Sequence, residues 1–294
     1  MPVPATYLPA MLSLTAVGAW GASDFLGGIG ARRGNVFLFT SLVHLSGMLI
    51  AAALALAIGL PFPEAGGVRW ALAAGAIGGI GLALFYRGLA IGQMGVVAPI
   101  SAVLGAALAT VVAAFTEGVP STRHLVGFLL AGIGVWLISR TEDNASGKNA
   151  SGKNETSSGR PRGIGLAILS GSCFAGFFFC IHRAGQGSAL WIAVCSRFAS
   201  FIVTLAVVLA SRQLRMLARP VLGIAVAAGI LEITGSVVFV RASQIGRLDV
   251  TVVLSSLYPA VTVILARIFL REHFSRARTI GMLAALAAVP MIAG

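Results

Sequence analysis

Two ionisable residues stand alone inside long apolar runs: Arg197 in ALWIAVCSRFASFIVTLAVVLA (189–210) and Glu232 in VLGIAVAAGILEITGSVVFV (221–240). Placing a charge in the middle of a lipid-embedded helix costs about 2.5–3.5 kcal/mol on insertion scales, so each such residue asks for a partner or a task. Three kinds of chemistry are open to this pair. The two side chains can form a salt bridge between neighbouring helices. They can hold the two ends of a zwitterion, guanidinium on carboxylate and Glu232 on ammonium. Glu232 can also carry a proton that is coupled to movement of a cargo.

A second group lies on the first and sixth apolar runs. Trp20 and Asp24 are one helical turn apart and share a face. A shift of 154 residues carries them onto Phe174 and Phe178. If these two faces line a cavity, they supply three aromatic rings and one carboxylate, a lining suited to apolar or aromatic side chains. The alternative is a packing stripe, with Asp24 pairing to Arg32 or Arg33. A third group is polar and kinked. Tyr258 precedes Pro259, and Ser255 and Ser256 stand about a turn before it. Proline frees a carbonyl that small hydroxyls or water re-satisfy, so this point could bend as a gate; Ser hydroxyls bonding back to their own helix is the plainer reading. His44 and His182 read as packed or interfacial. Gly75 and Gly79 are spaced for close helix approach.

These residues need helices to position them, and composition says where the helices lie. Charged residues make up 10% of the 294, against about 25% in soluble proteins, and 57% are hydrophobic. Mean hydropathy is +0.95. Apolar runs long enough to cross a hydrocarbon core of about 30 Å recur in both halves, and in lipid they must be helical. Ten spans are expected: 6–30, 36–60, 69–91, 94–116, 123–140, 162–183, 188–211, 219–243, 248–270 and 276–294. The net charge of +12 comes from basic residues that form no stripe with interleaved aromatics, which argues against nucleic acid. They segregate by loop instead. Fifteen Lys and Arg fall on one side of the expected spans and five on the other, with Arg197 inside a span. Positive-inside bias then puts segment 141–161 in the cytoplasm and both termini in the periplasm. Cys173, Cys180 and Cys195 all fall within spans and suggest neither disulfide nor metal.

Segment 141–161, TEDNASGKNASGKNETSSGRP, has no aliphatic side chain larger than alanine and reads as a disordered polar linker. It joins two copies of one unit. Residues 85–116 and 239–270 align at the 154-residue shift with eight of 32 positions identical, among them Arg87/Arg241 and Gly92/Gly246. Five spans per copy is an odd number, so the second copy must enter the membrane inverted, an arrangement typical of secondary transporters with a midplane site between the halves.

Each half resembles an EamA-type unit of the drug/metabolite transporter superfamily. The resemblance rests on AWGASDF (19–25), on the hairpins YRGLAIGQMGVVAPISAVLG (86–105) and VRASQIGRLDVTVVLSSLYP (240–259), and on the endings EGVPSTRHLVG (117–127) and EHFSRARTIG (272–281). The resemblance implies ten-span metabolite export, with amino acids, including aromatic ones, among the cargoes. It also marks a departure: the fourth-span proline of the family appears as Pro259, whereas the first half has Gly105 there and Pro99 earlier.

The expectation is an all-α membrane protein of ten transmembrane helices in two inverted five-helix repeats, 1–140 and 162–294. It exports amino acids across a bacterial cytoplasmic membrane by alternating access. Trp20, Asp24, Phe174, Phe178, Arg197, Glu232 and Tyr258 contact cargo; Pro99, Ser255, Ser256 and Pro259 gate. Efflux of amphipathic drugs, a non-transporting scaffold and a membrane enzyme are the alternatives. No zincin, nucleophile-elbow, Walker A or metal-spaced Cys/His motif is present, so neither catalysis nor a cofactor is expected. The partners are a small amino-acid cargo, the bilayer and, on the third reading of Glu232, protons. A monomer suffices for this scheme, and the oligomeric state is open.

Overall fold

The computed structural model describes residues 7–91, 94–139, 163–212, 217–270 and 276–293; the linker expected at 141–161 lies outside these. Among the described residues every regular element is an α-helix. In chain order they are α1 (Leu8–Ala31), α2 (Val36–Ile58), α3 (Ala65–Ile91), α4 (Met94–Glu117) and α5 (Thr122–Ser139). The second half contributes α6 (Ile164–Arg183), α7 (Ala189–Ala210), α8 (Arg219–Ile245), α9 (Leu248–Ser255), α10 (Tyr258–Leu270) and α11 (Arg276–Ala293). Five of them, α2, α3, α6, α7 and α8, combine at least 20 residues with enough apolarity to cross a bilayer. The chain is a multi-pass membrane protein.

Helix ends follow local chemistry. The Asn35 side chain accepts from the Leu38 amide at 3.0 Å and starts α2, which Gly59 ends in the left-handed conformation at φ 70°. Ser188 caps α7 in the same way as Asn35 caps α2, accepting from the Trp191 amide. Pro220, in the first turn of α8, sits where its missing N–H is not needed.

The expected ninth span is not one helix. It breaks at Ser256 and Leu257, giving α9 and α10. Pro259 has no N–H to offer the carbonyl of Ser255, and its ring would crowd that carbonyl in a continuous helix. The turn closes instead through Leu257 N–H on Leu254 O at 3.2 Å and Ala260 N–H on Leu257 O at 3.0 Å.

The halves pack mainly against each other. α1 lies on α8 as α3 lies on α6, and α3 meets α7 as α8 meets α2. α4 packs on α6 as α9 and α10 pack on α1, while α2 pairs with α7 and α5 with α11. Every one of these pairings maps onto another, or onto itself, when each span is exchanged for its equivalent five spans away. The detail follows suit. Ser200 of α7 donates to the Gly75 carbonyl of α3 at 2.8 Å; 154 residues away, Ser46 of α2 lies against Gly229 of α8. Gly81 makes room for Cys173 and Phe174, and Gly235 for Trp20.

Gly75 has a steep requirement. A Cβ there would run into the Ser196 backbone carbonyl, which no rotamer change can relieve. Gly75→Val should therefore destabilise the protein by at least about 3 kcal/mol, the upper end for overpacking. Gly18, which meets nothing within 4 Å, should accept valine within about 0.5 kcal/mol. Melting of the two variants in detergent checks this, and equal melting temperatures would refute it.

Candidate functional site

Where α1, α3, α6, α7, α8 and α10 converge they leave a cavity with about 60 Å³ of free space, room for about four water molecules. Its wall is Trp20 and Asp24 from α1, Gly78 and Leu82 from α3, Phe174, Phe177 and Phe178 from α6, Arg197 from α7, Glu232 from α8 and Tyr258 from α10. All seven residues expected to contact cargo thus lie around one space, drawn from both halves. Phe177, Leu82 and Gly78 join them unannounced. Phe177 belongs to the stretch FAGFFF (174–179), in which helix phase decides the facing. Phe178 turns to the cavity as well, while Phe179 meets Trp70 edge-on outside it, with centroids 5.9 Å apart. At Gly78, 154 residues before Glu232, the Phe177 ring fills the place of a side chain.

The aromatic wall is backed by a second layer. Phe239 packs on Trp20 at 5.3 Å and on Phe178 at 5.0 Å. Phe85, 154 residues earlier, packs on Phe174 at 5.6 Å and on Tyr258 at 6.3 Å. Rings supported from behind lose little further freedom when a ligand arrives, which favours binding.

Arg197 and Glu232 form a salt bridge in this state, Nη1 to Oε1 at 3.0 Å, with both side chains buried. Two further residues complete the arrangement. Nη1 also meets His44 Nδ1 at 3.3 Å, and Nη2 donates to Ser236 Oγ at 3.2 Å. Ser236 in turn donates to Glu232 Oε1 at 3.0 Å. The guanidinium lies over the Phe177 ring at 5.6 Å. Arg197 is therefore fixed from α2, α6 and α8 at once. Ser236 sits one turn beyond Glu232 and was legible as a neighbour; His44, 153 residues from Arg197, was not.

Asp24 differs from what its neighbours along the chain suggest. It is 7% exposed and pairs with neither Arg32 nor Arg33; it has no hydrogen-bond or ion-pair partner among the described residues. Two turns of helix, about 12 Å, separate it from those arginines, and its face turns inward. Glu232 Oε2 and the Tyr258 hydroxyl are likewise buried without partners among the described residues.

The expected gating residues cluster at the broken helix, apart from one. Ser255 ends α9 with its hydroxyl unpartnered among the described residues, whereas Ser256 bonds back to Val253 O at 2.7 Å. Pro259 is buried in the first turn of α10. Pro99 lies in the second turn of α4, far along the chain from the Gly105 position that matches Pro259, and its side chain is outside what the structure describes. His182 ties α6 to α8 through the Ser243 carbonyl at 3.2 Å.

No curated protein matches the chain. A crystal structure described only as that of a protein superposes with a TM-score of 0.74 over 96% of this chain and 97% of its own, at 18% identity. At that identity the likeness establishes a shared fold. The model of the EamA-like transporter family matches residues 161–294. The second half of this membrane protein is thus similar to the EamA-like transporter family.

Proposed function

We propose that the chain is a secondary exporter working by alternating access, with a cargo that carries an amino group on an apolar or aromatic body. Neutral and aromatic amino acids are the first class to test. The observation that carries this reading is the cavity: ionisable and aromatic residues from both halves converge on one space between them. The symmetric exchange of packing partners supports two inverted repeats, 1–140 and 162–294, because two near-equivalent halves can trade inward and outward conformations. At about 60 Å³ the cavity is smaller than a phenylalanine, so helices must part for such a cargo to enter. The excess of basic residues on one set of loops supports a bacterial inner-membrane topology with 141–161 in the cytoplasm. Thiol labelling of a cysteine placed at Ser151, in intact cells, reads that orientation directly.

The test of the function is flux. Purified protein in liposomes should move labelled aromatic or neutral amino compounds at rates well above protein-free vesicles, and replacing Phe178 with alanine should cut that flux by about tenfold. A panel of amino acids, their esters and aromatic amines that leaves every vesicle unchanged would overturn the exporter reading.

A further inference from the structure

The cavity wall has acceptors without donors. Asp24, Glu232 Oε2 and the Tyr258 hydroxyl all line it, on residues 7%, 6% and 6% exposed, and none has a partner among the described residues. Glu232 Oε2 and the Tyr258 hydroxyl are fully buried, and such oxygens are costly unless something satisfies them. The cation already present does not do so in this state. Arg197 engages Glu232 Oε1 and His44 through Nη1 and Ser236 through Nη2, with its plane on Phe177. Of its five N–H groups, Nε–H and one on Nη2 are left, and neither bonds these oxygens. Two carboxylates and one guanidinium thus line the cavity.

The rest of the wall points the same way. Trp20, Phe174, Phe177 and Phe178 present rings, whose faces attract cations and repel anions. A zwitterion would bring a carboxylate into this space and leave three carboxylates against one guanidinium and one ammonium. An ammonium brings three N–H donors to three free acceptors.

We propose that the site is built for an organic ammonium without a free carboxylate: an aralkyl amine, or an amino-acid ester or amide, held by Asp24, Glu232 Oε2 and Tyr258 inside the aromatic wall. Arg197, with His44 and Ser236 behind it, is a positioning residue that holds Glu232 with one oxygen turned to the cargo. This deepens the exporter reading and rests on it for the direction of transport; the binding chemistry stands by itself.

The test is calorimetric titration of the purified full-length protein in detergent with phenethylamine, phenylalanine methyl ester, phenylalanine and 3-phenylpropionate. The amine and the ester should bind at least about tenfold more tightly than phenylalanine, and phenylpropionate should not bind. Asp24→Asn should weaken the amine by about thirtyfold, because it removes a charge-assisted hydrogen bond, without lowering the melting temperature. If Asp24→Asn fails to fold, Tyr258→Phe serves in its place, since it removes only the hydroxyl and should weaken the amine by about fivefold. Phenylalanine binding as tightly as its ester, or no binding of the amine, overturns the ammonium site. So does an unchanged amine affinity in the variant that folds. Amine binding with no flux of any compound in liposomes sinks the exporter reading and leaves the site standing.

Discussion

Arg197→Met should unfold or nearly unfold this protein, costing about 3–5 kcal/mol, the range for breaking a buried ion pair from one side. The variant keeps much of the side chain's volume, so the loss is electrostatic and not a packing defect. What it leaves behind is Glu232, 6% exposed, with its partner gone and only Ser236 to bond it, and His44 without the guanidinium on Nδ1. Glu232→Gln should cost less, because an amide is neutral and its oxygen can still accept from Arg197 and Ser236. Combining Arg197→Met with Glu232→Gln should recover most of the lost stability, since no unpaired charge remains buried. Melting temperatures of the two single variants and the double variant decide it. A double variant no more stable than Arg197→Met would mean that the guanidinium acts through His44 and Phe177, and that the pair is incidental.

These residues also show why part of the site was legible in the sequence. A charge or a polar aromatic in an apolar run is costly wherever it faces lipid, so its presence alone marks an inward face. That logic picked out Arg197, Glu232, Asp24 and Trp20 one at a time, and the 154-residue shift added Phe174 and Phe178. What it could not supply was partners across the bundle. His44 reaches Arg197 only because α2 packs between α7 and α8, a relation that no local spacing encodes. The alternative that paired Asp24 with Arg32 or Arg33 rested on proximity along the chain, but two turns of helix separate them and Asp24 lines the cavity. The amino-acid cargo rested on resemblance and on Arg197 and Glu232 as a zwitterion clamp, whereas in the structure those two side chains pair with each other. The helices themselves were read within a few residues from apolar length, apart from the one that contains Pro259.

That exception carries the second large effect. Pro259→Ala should leave the fold at least as stable as before and slow transport by about tenfold, equivalent to about 1.4 kcal/mol on the barrier. Alanine restores an N–H that can donate to the Ser255 carbonyl and removes the ring that crowds it, so α9 and α10 can join into the single helix that the apolar run 248–270 would otherwise form. Joining them rotates what lies beyond the break. Tyr258 would turn away from the cavity and from its packing on Phe85, and the α10 edge that packs on Gly21 and gives the Thr262 hydroxyl to the Gly21 carbonyl would have to shift along α1. The first half offers a natural comparison, for α4 runs unbroken through Gly105, the position equivalent to Pro259. One half thus has a jointed fourth helix and the other a stiff one, and the joint sits beside the cavity. Pro259→Gly separates the two consequences, since it also restores the N–H but disfavours helix by about 1 kcal/mol relative to alanine and should keep the joint and most of the flux. Flux in liposomes and melting in detergent, measured on both variants, make the comparison. Equal flux in Pro259→Ala and the unaltered protein would show that the break is a packing accommodation and that the helices move as rigid rods around it.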